Sequence, residues 1–323
     1  MPNIDKVLGV SAANINKVIN VAEADIDQVI GYDLVTFANT KSLDTNDTQY
    51  LDISLASDII PHNAGSISCW VKVADTNTST KFFYSIYDAS ATSRGRIELQ
   101  YFNTSGSNVF ALNGAFRDEI ASNSFAVRMC NAKTKSEHHG KPWNRISIDY
   151  GAFNSDSDSI YNANAMKDNW HHVVWTWNKD ATYTYGSTTY NGRMRLYFDG
   201  QRVNEGCSSF ASHNGTGTAQ GLSGISLGTT FDRIRIGARF NGNNGIDCLT
   251  DELAIFDGEI TDTEVSNLYG TNGVPGDVTS ATNNTLVGWW RFEDFSFPAT
   301  DSSSNSYQGT TPNGATLVTD VPS

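Results

Sequence analysis

The chain has 323 residues, of which 39% are hydrophobic and only 18% charged, and its formal net charge is −13. That length allows one large domain with appendages. The acidic balance argues against nucleic-acid binding, which needs clustered Lys and Arg to neutralise phosphate, and no run of about 18 apolar residues offers a membrane span.

Residues 3–35 hold three copies of an 11-residue unit, NIDKVLGVSAA, NINKVINVAEA and DIDQVIGYDLV. Ile4, Ile15 and Ile26 correspond, as do Val7, Val18 and Val29, and then Leu8, Ile19 and Ile30. Gly9, Asn20 and Gly31 fall in register at a position suited to positive φ. So short a segment cannot shelter its own apolar side chains, and repeats of this kind become stable by stacking on something. The β-branched content and the Gly/Asn position favour short strands and turns. An 11-residue period also suits a right-handed helical supercoil. Either form needs a partner for the Ile and Val side chains, whether more copies of this chain or another protein; the plainer alternative is an N-terminal β-arm packed on its own domain. The N-terminus lacks the uninterrupted apolar core of a signal peptide.

Further along, Gln49–Ile53 and Ser66–Val71 read as strands. Trp170-His171-His172-Val173 opens another. The stretch Tyr183–Tyr190 (YTYGSTTY) reads as an exposed tyrosine-rich loop, an adaptable contact surface through Tyr183 and Tyr185. In Arg193–Phe198, Met194, Leu196 and Phe198 share one face while Arg193, Arg195 and Tyr197 share the other, as in a half-buried antiparallel strand. Asp199-Gly200 follows as a tight-hairpin signal. Arg233–Gly237 alternates in the same way, and Leu253–Phe256 is a continuous apolar run expected of a strand covered on both sides. Thr261 with Glu264 forms a capping box; Val265, Leu268 and Tyr269 give one apolar helical stripe, and Gly270 sits at the C-cap. Residues 271–285 look like a linker. Leu286–Glu293 reads as a strand, followed by a polar turn at Asp301–Asn305, which either closes the main body or forms a small C-terminal unit. The organisation expected is therefore 1–34, an attachment and oligomerisation arm; 35–270, a sandwich; and 271–323, a linker with a C-terminal β segment.

The pieces Trp170–Val173, Leu196–Gly200, Ile234–Gly237 and Thr250–Leu253 leading to Glu259–Thr261 and Glu264, with the two opening strands in order, resemble the laminin-G-like branch of the concanavalin-A-like jelly rolls. The resemblance covers roughly residues 36–270 and implies an all-β fold, an antiparallel jelly-roll β-sandwich preceded by the repeat arm. The family is functionally diverse, so the fold leaves function open. Hydrolases on this topology carry Glu-x-Asp-x-x-Glu on one strand. That spacing is absent here, as are Gly-x-Ser-x-Gly and His-Glu-x-x-His, so no catalytic residue is expected and the hydrolase reading is the weakest. His171-His172 point to opposite faces of a strand, where one neutral imidazole suits a core hydrogen bond; His138-His139 lie in a polar loop beside Lys141-Pro142-Trp143, and neither pair is expected to ligate a metal. Related jelly rolls hold calcium with loop carboxylates; Asp44, Asp47, Asp199 and Asp251 are available, but each also suits a turn, and no metal set is singled out. Cys69, Cys130, Cys207 and Cys248 lack metal-type spacing and are expected as free thiols.

For a ligand, Arg195, Tyr197, Arg233 and Arg235 would project together if their strands are neighbours, and Arg and aromatic groups suit sugar rings and acidic glycans. The alternative is a solvated sheet face. The repeat resembles N-terminal segments of tailed-phage structural proteins. That resemblance implies docking to other virion proteins of capsid or tail, a homo-oligomer with a trimer favoured, and display of the sandwich on the virion surface as a decoration, spike or fibre component for glycan adhesion. A free carbohydrate-binding lectin and a bacterial surface adhesin are the alternatives.

Overall fold

The computed structural model describes residues 38–56, 59–74, 81–87, 89, 96–104, 109–120, 123–126, 145–149, 168–185, 188–206, 231–270 and 273–323, together with four short strands nearer the N-terminus. The chain divides into two compact units, Met1–Ala38 and Asn39–Ser323. In the first, β1 (Lys6–Val7) pairs antiparallel with β2 (Val10–Ser11), and β3 (Gln28–Val29) with β4 (Tyr32–Asp33). The paired residues occupy the same positions in the first and third repeat copies. Of the two conformations open from the sequence, strands rather than helix occupy these positions. Ile4, Leu8, Ile15, Val18, Ile19, Ile26 and Ile30 lie outside the described residues, as do the side chains of Val7 and Val29.

The second unit is a sandwich of two antiparallel sheets. In chain order its elements are β5 (Ser42–Thr45), β6 (Tyr50–Ser54), β7 (Ala64–Val73), β8 (Lys81–Tyr87), β9 (Arg96–Thr104), β10 (Val109–Ile120), β11 (Asn123–Ala126), β12 (Arg145–Asp149), β13 (Trp170–Tyr185), β14 (Thr188–Phe198), β15 (Gln201–Gly206), β16 (Arg233–Ile236), β17 (Cys248–Asp257), α1 (Asp262–Tyr269), α2 (Val278–Ala281), β18 (Thr285–Trp290), β19 (Gly309–Asn313) and β20 (Thr316–Val318). One sheet runs β11-β10-β9-β8-β16-β6-β19, with β12 also on β10. The other runs β15-β14-β13-β7-β17-β5-β20, with β18 also on β17.

Side-chain alternation sets which face turns inward. Ile234 and Ile236 of β16 enter the core, as do Met194, Leu196 and Phe198 of β14 and Val173, Trp175 and Trp177 of β13. The Asp199-Gly200 turn has φ of 50° and 76°. The glycine is needed for space as well, since a Cβ there would stand 2.9 Å from Tyr269. Leu253–Phe256 of β17 is buried throughout, because β7 flanks it on one edge, β18 on the other, and both of its faces are covered.

The C-terminal segment belongs to the sandwich. β18 pairs with β17, β19 with β6 and β20 with β5, so the last forty residues contribute to both sheets. The DSSSN turn is a knot around Asp301, which is buried and accepts from Trp289 N, Ser303 N, Ser303 Oγ and Tyr307 N at 2.8–2.9 Å. The stretch expected as a linker contains α2, capped by Asp277, with Val278 and Ala281 buried.

Candidate adhesion surface

The four residues expected to project together are split between the two sheets. Arg195 and Tyr197 are on β14, whereas Arg233 and Arg235 are on β16. Their strands are not neighbours, so the shared face does not exist.

The outer face of the β14 sheet is covered. Thr261 caps α1 through a complete capping box, and Val265 and Leu268 bury the apolar stripe. Tyr269 stacks on Trp70 of β7, with ring centroids 5.5 Å apart and planes 12° apart. Tyr197 is fully buried, and its hydroxyl donates to Asp262 Oδ1 at 2.7 Å. Arg193 donates from Nε and Nη2 to Glu259 at 2.9 and 2.6 Å, and Arg195 Nη1 stands 3.6 Å from the same carboxylate. Arg195 and Tyr197 therefore fasten the helix to the sheet. His172 is buried behind the same stack, and burial pushes its imidazole down to about 3, so it is neutral. His171 Nδ1 pairs with Asp199 Oδ2 at 2.9 Å. His138 and His139 lie outside the described residues.

The outer face of the β16 sheet is built differently. A polar row crosses it in register: Glu98, Ser85, Arg235 and Asp52 pair strand to strand. Arg235 is nearly buried and grips Asp52 bidentately, Nε to Oδ1 and Nη2 to Oδ2, both at 2.7 Å. Its Nη1 donates to Phe240 O at 2.9 Å. The guanidinium lies over the Tyr50 ring at 3.9 Å and near Tyr87 at 5.7 Å. Burial, then the Asp52 carboxylate, pushes the Tyr87 hydroxyl up to about 12. Arg233 is half-buried and donates to Ser54 Oγ at 2.9 Å.

This row runs to an exposed rim. The turn after β16 closes on itself, with Arg239 N donating to Asn243 O and Gly242 N to Arg239 O. A Cβ on Gly242 would stand 3.3 Å from Arg235 Nη1 and 3.4 Å from Tyr50, so the backbone must pass close over the pair. A Cβ on Gly245 would stand only 2.4 Å from Asp47 O, and Asn313 Nδ2 donates to Thr48 O at 3.1 Å. Turns 46–49, 239–245 and 313–314 thus meet. Asn46, Thr48, Asn241, Asn243, Asn244 and Asn313 are exposed there, beside the half-exposed rings of Tyr50 and Phe240. Arg239 stands 5.5 Å over Phe82 and 5.2 Å over Phe240. Tyr50, Asp52, Phe240 and the asparagines were not among the sequence candidates. The Arg-Phe-Asn-Gly-Asn-Asn run just past β16 was the signal that could have found them.

Tyr183 and Tyr185 lie on the end of β13, where Tyr183 pairs with Tyr190 and Tyr185 with Thr188. The stretch expected as a loop is mostly strand, and the two tyrosine side chains lie outside the described residues.

The acids considered for calcium do not converge. Asp47 pairs with Lys81 at 2.5 Å; Asp199 holds His171 and accepts from His172 N; Asp251 accepts from Glu252 N; Asp44 faces Thr316. Among the described residues no three His, Cys, Asp or Glu are placed to hold a metal ion. A cavity of about 450 Å³ is lined by Asp44, Lys72, Asp168, Asp247, Leu249 and Asp320, but Lys72 Nζ and Trp170 Nε1 already donate to Asp320 across it. Asp251 and Glu252 are buried on β17. Glu252 accepts from Trp289 Nε1 at 2.6 Å and Arg291 Nε at 3.1 Å, so its carboxylate is engaged in holding β17 to the segment that carries Trp289 and Arg291. Cys69 and Cys248 are buried free thiols, both pushed up by burial, while Cys130 and Cys207 lie outside the described residues.

No family model matches the chain, and no curated protein matches it. Among solved structures it is similar to a candidate carbohydrate-binding protein from Bacteroides ovatus, at 12% identity and a TM-score of 0.45 over 88% of this chain; it spans 61% of that protein's length. A SAP-like pentraxin from Limulus polyphemus aligns at 13% identity and 0.40, over 77% of this chain and 91% of the pentraxin. The CBM40 of a Ruminococcus gnavus IT-sialidase, bound to α2,3 sialyllactose, aligns at 10% identity and 0.39, over 71% and 98%. None of these likenesses assigns an activity to this chain.

Proposed function

We propose that the protein is an adhesive structural component of a phage virion: the repeat arm docks it to other virion proteins and gathers copies, a trimer being favoured, and the sandwich presents a glycan-binding surface outward. The virion part rests on the resemblance of the arm. The glycan part rests on one observation, the Asp52–Arg235 pair held flat against Tyr50 beneath a rim of exposed asparagines. A sugar offers an apolar C–H face and a ring of hydroxyls. Half-exposed aromatic rings suit the first, and amides, which both donate and accept, suit the second. The buried ion pair fixes the geometry beforehand, so little ordering is needed on binding. Arg235 is a positioning residue here, because its donors are directed to Asp52 and Phe240.

The test is a glycan array probed with the full chain. Tyr50→Ala and Phe240→Ala should each weaken binding at least tenfold, while Gln201→Ala, exposed on the opposite sheet, should leave it unchanged. Absence of any signal at high micromolar protein, or equal binding by all three variants, would overturn the assignment.

A further inference from the structure

The cations among the described residues of the rim are each held by a carboxylate. Arg235 donates twice to Asp52 at 2.7 Å. Lys81 Nζ donates to Asp47 Oδ1 at 2.5 Å, and in that pair the exposed member is the acid, its side chain 51% exposed against 9% for the lysine. Arg239 Nε stands 3.6 Å from Oε1 of the buried Glu98. Arg233, the other cation on this face of β16, opens the strand at the end away from the 239–245 turn and donates to Ser54 Oγ. The exposed amides offer both senses of hydrogen bond. Asn46 Oδ1 accepts from Thr48 N and Thr48 Oγ1, and Asn241 Oδ1 accepts from Asn243 N, so in both residues the Nδ2 donor is left for a ligand. In Asn313 the Nδ2 is committed to Thr48 O, and Oδ1 is left.

The geometry points to a rim that selects uncharged sugars and rejects acidic ones. The inference rests on the proposed glycan-binding rim and names its ligand class. A sugar hydroxyl both donates and accepts, so it matches a mixture of amide donors and acceptors. A carboxylate or sulfate only accepts, and it binds best where cationic donors are open to it. Here the guanidinium and ammonium groups already face Asp52, Glu98 and Asp47. An acidic sugar would stand beside those carboxylates, on a chain whose net charge of −13 also repels it at longer range. The acidic glycans that Arg233 and Arg235 suit in the sequence are therefore disfavoured, because Arg235 is folded together with its own counter-ion.

The test is an array of neutral oligosaccharides, each beside its sialylated or sulfated form, probed with the full chain. It is read at ionic strengths of about 0.1 and about 1 M, between which the Debye length falls from about 10 to about 3 Å. The neutral forms should bind, with an affinity that changes less than about twofold between the two salts. Their acidic forms should bind about tenfold more weakly at the lower ionic strength. Equal or tighter binding of the acidic forms, or an affinity that falls steeply with salt, with Tyr50→Ala still weakening it, would overturn this inference and leave the rim as the binding surface. No binding, or binding indifferent to Tyr50→Ala and Phe240→Ala, would overturn both.

Discussion

Asp251 and Glu252 show how far a single residue can be read without its surroundings. In the sequence Asp251 suits calcium or a turn, and nothing local marks Glu252. In the fold they are adjacent on a bulged strand, with Glu252 at φ 49°. Burial, opposed by Arg291 and the Trp289 hydrogen bond, pushes Glu252 up to about 7; burial and then the Glu252 charge push Asp251 well up. A carboxyl raised in the folded state holds its proton more tightly there than in the unfolded chain. Stability is then greatest at low pH and is lost as pH rises from the ordinary value of 4.5 toward about 7. The urea midpoint should therefore fall between pH 5 and pH 8. Asp251→Asn keeps an acceptor for Glu252 N but removes one of the two coupled charges, so its midpoint should fall less and lie above wild type at pH 8. An unchanged slope would mean the pair is not the origin. No sequence pattern predicts this, because Trp289 of β18 and Arg291 just past its end arrive from more than thirty residues away.

Single elements were more legible than their neighbours. Alternation in Arg193–Phe198 and Arg233–Ile236 correctly divides inward from outward side chains, since it depends only on the strand's two-residue period. It does not say which strands pair, and so it joined Arg195 and Tyr197 to Arg233 and Arg235 across what are two sheets. The capping box at Thr261 was also legible, being local. What α1 covers was not, and that decides the fate of Tyr197. The helix is short, so its N-cap matters: Thr261→Ala should cost about 1 kcal/mol. Because Asp262 at its first turn accepts from Tyr197, the substitution should also increase solvent quenching of tyrosine and tryptophan fluorescence from the Trp70–Tyr269 stack. A change within error of wild type by both urea melt and quenching would show that the tertiary clamp through Glu259, not the cap, holds the helix.

At the scale of the molecule, strand patterning and turn chemistry placed the strands, and the family resemblance carried by those strands implied the all-β sandwich that the two sheets form. Where the last strands belong did not follow from the pattern, since pairing over more than 250 residues, as in β20 on β5, leaves no local trace. The same limit hid the rim: three turns from distant parts of the chain meet around Tyr50, Arg235 and Phe240 only once both sheets are closed. If the proposed function holds, the molecule adheres through this rim and not through the helix-covered face of the other sheet. Hydrogen exchange of the full chain, with and without the glycan that binds best on the array, separates the two surfaces. Slowed exchange is expected in peptides covering residues 46–52 and 239–245, with residues 193–202 and 262–269 unchanged. Protection confined to the latter segments, with the rim exchanging as in the free protein, would contradict it.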